Sequence, residues 1–133
     1  MKFLLDTDIL SYLARGGQPV LTERVRAMSP DDLAMSVVTR GEIEFGLLKQ
    51  PPSQPTRERM RGLLDLIETL GVPPDAAAQY RDLRHALQSR GVPIGSNDMW
   101  IAAHALAEQR TLVTNNEREF GRVPGLLVEN WTR

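Results

Sequence analysis

The stretch Lys2-Phe3-Leu4-Leu5-Asp6-Thr7-Asp8-Ile9 decides the fold of this chain. Its apolar run is too short for a typical helix and is bounded by an acidic turn, which favours a buried strand. Asp6 ends the strand, and Asp8 is placed to cap a helix over residues 9–13 that Gly16 then terminates. The order of strand, acidic turn and helix predicts an α/β fold.

The remaining sequence repeats this alternation of strands and helices. Further strands are predicted at 33–37, 68–72, 111–114 and 126–129. Further helices are predicted at 20–28, 39–49, 56–67, 73–89 and from 96 or 97 to 109, and the proline-rich residues 50–55 form a loop. Because each parallel connection needs a crossover, we expect a three-layer α/β/α sandwich around a parallel sheet of about four or five strands.

Polar side chains mark the starts of several predicted helices. Thr39 and Glu42 have the spacing of a capping box, in which the two side chains bond each other's backbone amides. Ser96 or Asn97 is placed to cap the helix that ends at residue 109. Pro73 opens its helix at a position where proline is tolerated.

Length and composition limit the class of protein. With 133 residues, of which 41% are hydrophobic and 25% charged, the chain fits a single globular domain spanning residues 1–133. It has no cysteine, so any bound metal must be held by oxygen or imidazole ligands. The opening apolar run is too short for a signal peptide or a membrane span, and we expect a cytoplasmic protein that does not contact membranes.

Charge is balanced overall but unevenly distributed. The formal net charge is -1, which does not by itself indicate a nucleic-acid binder. Six arginines of the middle third are candidates for a basic face that binds RNA phosphates, or are solvated residues of two surface helices. They are Arg57, Arg59, Arg61, Arg81, Arg84 and Arg90.

Three acidic residues follow strands or begin helices, and these positions meet at one edge of a parallel sheet. Asp6 ends the first strand, while Glu42 and Asp98 lie near the starts of two helices. Carboxylates gathered in this way suit a hard divalent cation such as Mg2+, which activates water and neutralises charge on a phosphodiester. The sequence therefore predicts a pocket for metal-dependent hydrolysis.

Each acid also has a purely structural interpretation. Asp6 can form a turn, Glu42 can complete the Thr39 cap, and Asp98 can be a favourable charge at a helix N-terminus. A fourth polar position follows the strand at 111–114, where Asn116 or Glu119 can reach the pocket and the sequence leaves the choice open.

The two histidines are weak catalytic candidates. His85 falls on an arginine-rich helix face, and His104 lies about two turns beyond Asp98, pointing away from the pocket. Both are interpreted as structural or solvated.

Four segments in order resemble the PIN-domain family and, more narrowly, its VapC-type toxins of type II toxin–antitoxin systems. They are Phe3–Ile9, Val38–Gly46, Asn97–Ala105 and Leu112–Phe120, and the tail from Arg122 to Trp131 adds to a likeness that spans the chain. The resemblance implies a Mg2+- or Mn2+-dependent endoribonuclease that inhibits translation, pairs with a VapB-type antitoxin and forms a homodimer. It implies metal ligands at Asp6 and Asp98 and a third acid at Glu42.

The same resemblance carries two departures and one hint about the substrate. The family's fourth acidic position falls within residues 116–119, where the first candidate is Asn116 rather than Asp and Glu119 is the other, and Asp8 stands where Asn is commoner. The stretch Gly91-Val92-Pro93-Ile94-Gly95 is similar to that of members that cleave initiator tRNA in its anticodon region.

Other functions remain open at this point. Because Asn116 is not acidic, a catalytically weak PIN-like module that binds RNA is one alternative. Asp6 and Asp8 also resemble the Asp-x-Asp pair of a phosphatase with an aspartate nucleophile. However, Leu10 occupies the position where that class has Thr.

Overall fold

A five-stranded parallel sheet forms the centre of the molecule. The computed structural model describes residues 3–51 and 53–133. The strands are β1 (Phe3–Leu5), β2 (Leu33–Ser36), β3 (Glu68–Leu70), β4 (Thr111–Val113) and β5 (Val128–Glu129), in the spatial order β3-β2-β1-β4-β5. Leu4 pairs with Ala34 on one side and with Leu112 on the other. The predicted parallel sheet is confirmed.

Helices connect the strands and cover both faces of the sheet. They are α1 (Thr7–Arg15), α2 (Pro19–Arg26), α3 (Val37–Leu47), α4 (Pro55–Leu66), α5 (Ala76–Ser89), α6 (Ser96–Ala107) and α7 (Glu117–Phe120), with a short 3-10 turn at Pro30–Asp32. Helices α5 and α6 pack on one face, whereas α1, α2 and α4 pack on the other. The three-layer α/β/α sandwich is therefore confirmed.

Alternation along the strands produces two separate hydrophobic cores. Leu4 of β1 points into the core shared with α5 and α6, whereas its neighbour Leu5 points into the core of α1, α2 and α4. Both side chains are fully buried. Because successive side chains of a strand face opposite sides, an apolar run with no polar alternation is required here. This is why so short a segment as β1 can organise the whole sheet.

Three predicted helix caps are wrong. The side chain of Asp6, not Asp8, caps α1, because its Oδ1 accepts a hydrogen bond from the Ile9 amide at 3.0 Å. Ser36, not Thr39, caps α3 by accepting from the Val38 amide at 3.2 Å. Neither Ser96 nor Asn97 caps α6, since the backbone of Gly95 occupies that position without a side-chain bond.

The start of α3 changes the interpretation of Thr39 and Glu42. Thr39 lies inside the helix, and its buried Oγ1 has no hydrogen-bonding partner among the described residues. Glu42 lies in the second turn and bonds other side chains. The capping-box alternative for Glu42 is therefore excluded.

Some boundaries also differ from prediction. Pro55 belongs to α4 as its first residue rather than to the preceding loop, a position at which proline needs no amide hydrogen. Helix α5 begins at Ala76, after the turn at 74–75, and not at Pro73. Helix α7 and the 3-10 turn were not predicted, because each is too short to show a hydrophobic period.

The topology places a crevice at one edge of the sheet. The strand order reverses direction between β1 and β4, and ligands of open parallel sheets bind at the carboxyl ends of strands beside such a reversal. Asp6 leaves β1 at this point, and its amide donates to the Val113 carbonyl of β4 at 3.1 Å. No helix within the described ranges is long and apolar enough to span a membrane.

Candidate active site

Asp6 lies at the bottom of the crevice and is held in place by its surroundings. Its side chain is 4% exposed and bonds the Ile9 amide and the Thr114 side chain. Burial raises the pKa of Asp6 to about 7, and the nearby charges of Asp8 and Asp98 add to this effect. A carboxyl group fixed and desolvated in this way is energetically unfavourable as an anion without a compensating positive charge.

Asp98 brings a second carboxyl group from the first turn of α6. Its pKa is raised to about 6, first by burial and then by repulsion from Glu42, Glu119 and Asp8. These repulsions show that acids from four parts of the chain share one electrostatic environment. The crevice therefore concentrates negative charge.

Glu42 comes from α3 and has a partner for each carboxylate oxygen. The Thr7 hydroxyl donates to Oε1 at 2.6 Å, and the Asn97 side-chain amide donates to Oε2 at 3.3 Å. A carboxylate oxygen has a second lone pair, so both oxygens can still accept another partner. Thr7 and Asn97 thus orient Glu42 without saturating it.

These acids line one pocket of about 210 Å³. Liquid water takes about 30 Å³ per molecule, so the pocket has the volume of a small group of water molecules. This volume suits a cation with its bound waters rather than a nucleotide. The residues that line it are Asp6, Thr7, Asp8, Glu42, Asp98, Asn116 and Phe120. Asp6, Glu42 and Asp98, the three acids singled out from the sequence, all line this pocket.

Asn116 and Glu119 act as a pair at the fourth position. Asn116 lines the pocket, and its side-chain amide donates to Glu119 Oε2 at 2.9 Å. Glu119 is close enough to raise the pKa of Asp98 by repulsion. Asn116 therefore lines the pocket, while Glu119, which it bonds, contributes negative charge without lining it.

The donor set fits a hard divalent cation in its chemistry. Within residues 3–51 and 53–133, no three acidic or histidine side chains already converge on one point as a preformed metal centre. The pocket lining nevertheless offers only carboxylate, hydroxyl and amide oxygens around a cation-sized space. Mg2+ retains several waters and needs only a few protein carboxylates, and its charge would offset the burial and the repulsion that raise the pKa values of Asp6 and Asp98.

The six arginines do not form one basic face. Helix α4, with Arg57, Arg59 and Arg61, packs on the opposite side of the sheet from α5, which carries Arg81 and Arg84. Several of these side chains also serve local structure. Arg59 bonds the Ala14 carbonyl at the end of α1, for example, and Arg61 pairs with Glu44 at 2.8 Å.

His104 is structural, as its sequence position indicated, whereas His85 is exposed on α5. The His104 side chain is completely buried, with Nδ1 2.9 Å from Ser36 Oγ. Burial lowers the pKa of His104.

The sequence did not predict these roles for four polar residues that line the pocket or bond its acids. Thr7 and Asp8 line the pocket, Thr114 bonds Asp6, and Asn97 bonds Glu42. Thr7 and Asn97 each adjoin a candidate acid in sequence, and Asp8 lies two residues from Asp6, which was the available signal. Thr114 offered none, because its role depends on the pairing of β4 with β1.

Comparison with known proteins identifies the class of protein to which this fold and its acidic crevice belong. The PIN domain matches residues 3–126, and the chain therefore belongs to the PIN-domain family. Its full-length relatives within that family carry the name VapC. Ribonuclease VapC2 of Rickettsia felis is 31% identical over 134 residues, covering 100% of both chains. The tRNA(fMet)-specific endonuclease VapC of Salmonella typhimurium is 30% identical over 131 residues, covering 98% of each.

A solved structure agrees with these sequence relatives. VapBC2 from Rickettsia felis, bound to a DNA fragment from their promoter, matches with a TM-score of 0.89 at 31% identity. The match covers 98% of this chain and 99% of that chain. The resemblance to the PIN family and its VapC members, first indicated by four short motifs, is confirmed.

Proposed function

We propose that this protein is a Mg2+-dependent endoribonuclease, the toxin of a VapBC-type toxin–antitoxin pair, and that it acts in the cytoplasm. The observation that carries the proposal is the pocket in which buried Asp6 and partly buried Asp98 both have raised pKa values. Carboxyl groups whose pKa values are shifted by burial and by neighbouring charges, and which share a crevice, mark a candidate functional site. The names of its full-length relatives supply the reaction class.

The residues divide into three roles. Asp6 and Asp98 would hold the divalent cation, which would be Mg2+ or Mn2+. When bound, the cation supplies Lewis acidity that lowers the pKa of an attacking water and offsets charge on the phosphate. Glu42, held by Thr7 and Asn97, would orient the attacking water and accept its proton. Glu119 would add negative charge near the cation, and Asn116, which lines the pocket and bonds Glu119, would hold that carboxylate in place.

The substrate we propose is a tRNA, and initiator tRNA in particular, whose cleavage stops translation. Two observations support this choice: one relative is named a tRNA(fMet)-specific endonuclease, and the segment Gly91-Val92-Pro93-Ile94-Gly95 lies directly before α6, which carries Asp98. The partner we propose is a VapB-type antitoxin, in line with the VapBC2 match. A homodimer remains a further expectation from the resemblance.

Cleavage assays test the proposal directly. Purified, antitoxin-free protein is incubated with initiator tRNA and with elongator tRNAs, in Mg2+ and in EDTA. We expect cleavage of initiator tRNA that needs Mg2+ and is lost in Asp98→Asn. A matched control is Asp75→Asn, an exposed aspartate before α5, which should cut like wild type. A folded protein that binds RNA but never cuts it would instead establish the catalytically weak RNA-binding module.

A further inference from the structure

A buried polar contact joins α6 to the start of α3. His104 Nδ1 lies 2.9 Å from Ser36 Oγ, and both side chains are completely buried. Ser36 Oγ also accepts the amide hydrogen of Val38 at 3.2 Å and so begins α3. Buried polar groups are costly unless they are hydrogen-bonded, so the pair adds geometric demands to an otherwise apolar core.

The proton positions in this contact follow from its surroundings. Glu108 Oε1 lies 3.3 Å from His104 Nε2 and can only accept, while burial lowers the pKa of His104. We therefore assign the proton of the ring to Nε2, which leaves Nδ1 to accept from the Ser36 hydroxyl. Nε2 has no well-aligned hydrogen bond among the residues described. The hydrogen bond from Ser36 to Nδ1 therefore holds the ring more firmly than the contact between Nε2 and Glu108.

A second contact ties the same two helices nearer the pocket. Asn97, in the first turn of α6, donates to Glu42 Oε2 of α3 at 3.3 Å. Ser36, which caps α3, and Glu42 of α3 are six residues apart, and in α6, Asn97 and His104 are seven residues apart. These spacings correspond to roughly 9 Å and roughly 10.5 Å along a helix. Because the helices run in opposite directions between the contacts, these nearly equal spans let both bonds form at once.

We infer that His104 is a positioning residue, whose bond to Ser36 fixes the register of α3 along α6 and thereby holds Glu42 opposite Asp98. This inference rests on the proposed function, in which Glu42 and Asp98 serve one cation. Groups behind metal-site residues commonly change metal affinity by about 10–100-fold when removed. A small slide of α3 would displace Glu42 while leaving the sheet intact.

Two substitutions of His104 separate its two nitrogen atoms. An Asn side chain places its amide near the position of Nδ1 and can keep the bond to Ser36. A Gln side chain reaches toward the position of Nε2 and Glu108 instead. Both remove the ring, so their packing losses are similar. We expect His104→Gln to weaken Mg2+ binding by about 10-fold in calorimetry, while His104→Asn stays within about 2-fold of wild type.

A control separates register from general loosening of the core. Leu87 is fully buried in α5, in the core that α5 and α6 share, and belongs to neither of the two hydrogen bonds that join α3 and α6. Leu87→Ala should lower stability by about 2–5 kcal/mol yet leave the Mg2+ affinity unchanged. Equal affinities in the Asn and Gln variants, or an equal loss in Leu87→Ala, would overturn the inference.

A measurement without metal keeps this test separate from the proposed function. The side-chain amide of Asn97 reports the second contact in an NMR spectrum of the metal-free protein. His104→Gln should shift its signals, and His104→Asn should not. Unmoved Asn97 signals in His104→Gln would refute the register role, whereas wild-type protein that binds no Mg2+ would refute the proposed function instead.

Discussion

Replacing Asp6 with Asn tests the electrostatics of the pocket most directly. The carboxyl group is 4% exposed, and burial followed by repulsion from neighbouring acids raises its pKa from 3.8 to about 7. Above pH 7 the folded protein must therefore keep an unfavourable anion that the unfolded chain carries easily. A difference of about 3 pH units corresponds to about 4 kcal/mol of lost stability.

The Asn variant removes this charge and keeps the shape. Its Oδ1 can still accept from the Ile9 amide, so the cap of α1 survives. At about pH 8 and without metal, we expect the free energy of unfolding to rise by up to about 4 kcal/mol, or roughly 10–20 °C in Tm. As pH falls below about 7, folded wild type binds its proton before the unfolded chain does, so wild type gains stability; the difference shrinks to roughly 1.5–2 kcal/mol at about pH 5 and disappears only below about pH 4.

Urea denaturation in EDTA at these two pH values measures the effect. Asp65→Asn, an exposed aspartate on α4, is the control and should change stability by less than about 0.5 kcal/mol. Mg2+ should stabilise wild type but not Asp6→Asn, which should also lose RNA cleavage. If Asp6→Asn is no more stable than wild type at about pH 8, or its advantage is as large at about pH 5 as at about pH 8, the raised pKa of Asp6 does not destabilise the fold.

Three further predictions concern other parts of the molecule. Glu42→Gln should lower kcat about 100-fold or more with little change in KM in steady-state RNA cleavage, and the exposed Glu23→Gln should not; normal kcat would remove Glu42 from the proton transfer. Asn116→Asp adds a carboxylate beside Glu119. Calorimetry should therefore show lower stability without metal and a larger rise in Tm when Mg2+ is added. An unchanged rise in Tm would show that residue 116 takes no part in cation binding. Trp131→Ala should lose about 3–5 kcal/mol in urea titration because that ring is completely buried; a loss below about 1 kcal/mol would contradict its part in the core.

The sequence predicted the elements and the edge where the acids meet, since both depend on local pattern. Short apolar runs such as the one before Asp6 suit buried strands, and the parallel pairing of such strands sets their carboxyl ends at one edge. The pocket acids could thus be grouped from the order of strands and helices alone.

Caps and side-chain partners were less predictable, because they depend on backbone angles and distant contacts. Ser36 caps α3 because its own backbone is extended, with φ -71° and ψ 147°, whereas the equally suitable Thr39 lies inside the helix. The bond between Asn97 and Glu42 joins residues 55 positions apart. Helices α4 and α5 lie on opposite sides of the sheet. This placement follows from the topology and not from local sequence pattern, so the sequence alone left one common basic face for their arginines as a candidate.

The pairing of β1 with β4 has a consequence for how the protein is made. Strand β1 finds one of its two neighbours only when residues 111–113 have left the ribosome. Asn116 and Glu119 follow even later. The complete pocket therefore cannot form on a nascent chain before residues 111–119 have emerged, however early β1, α1 and α3 have been made.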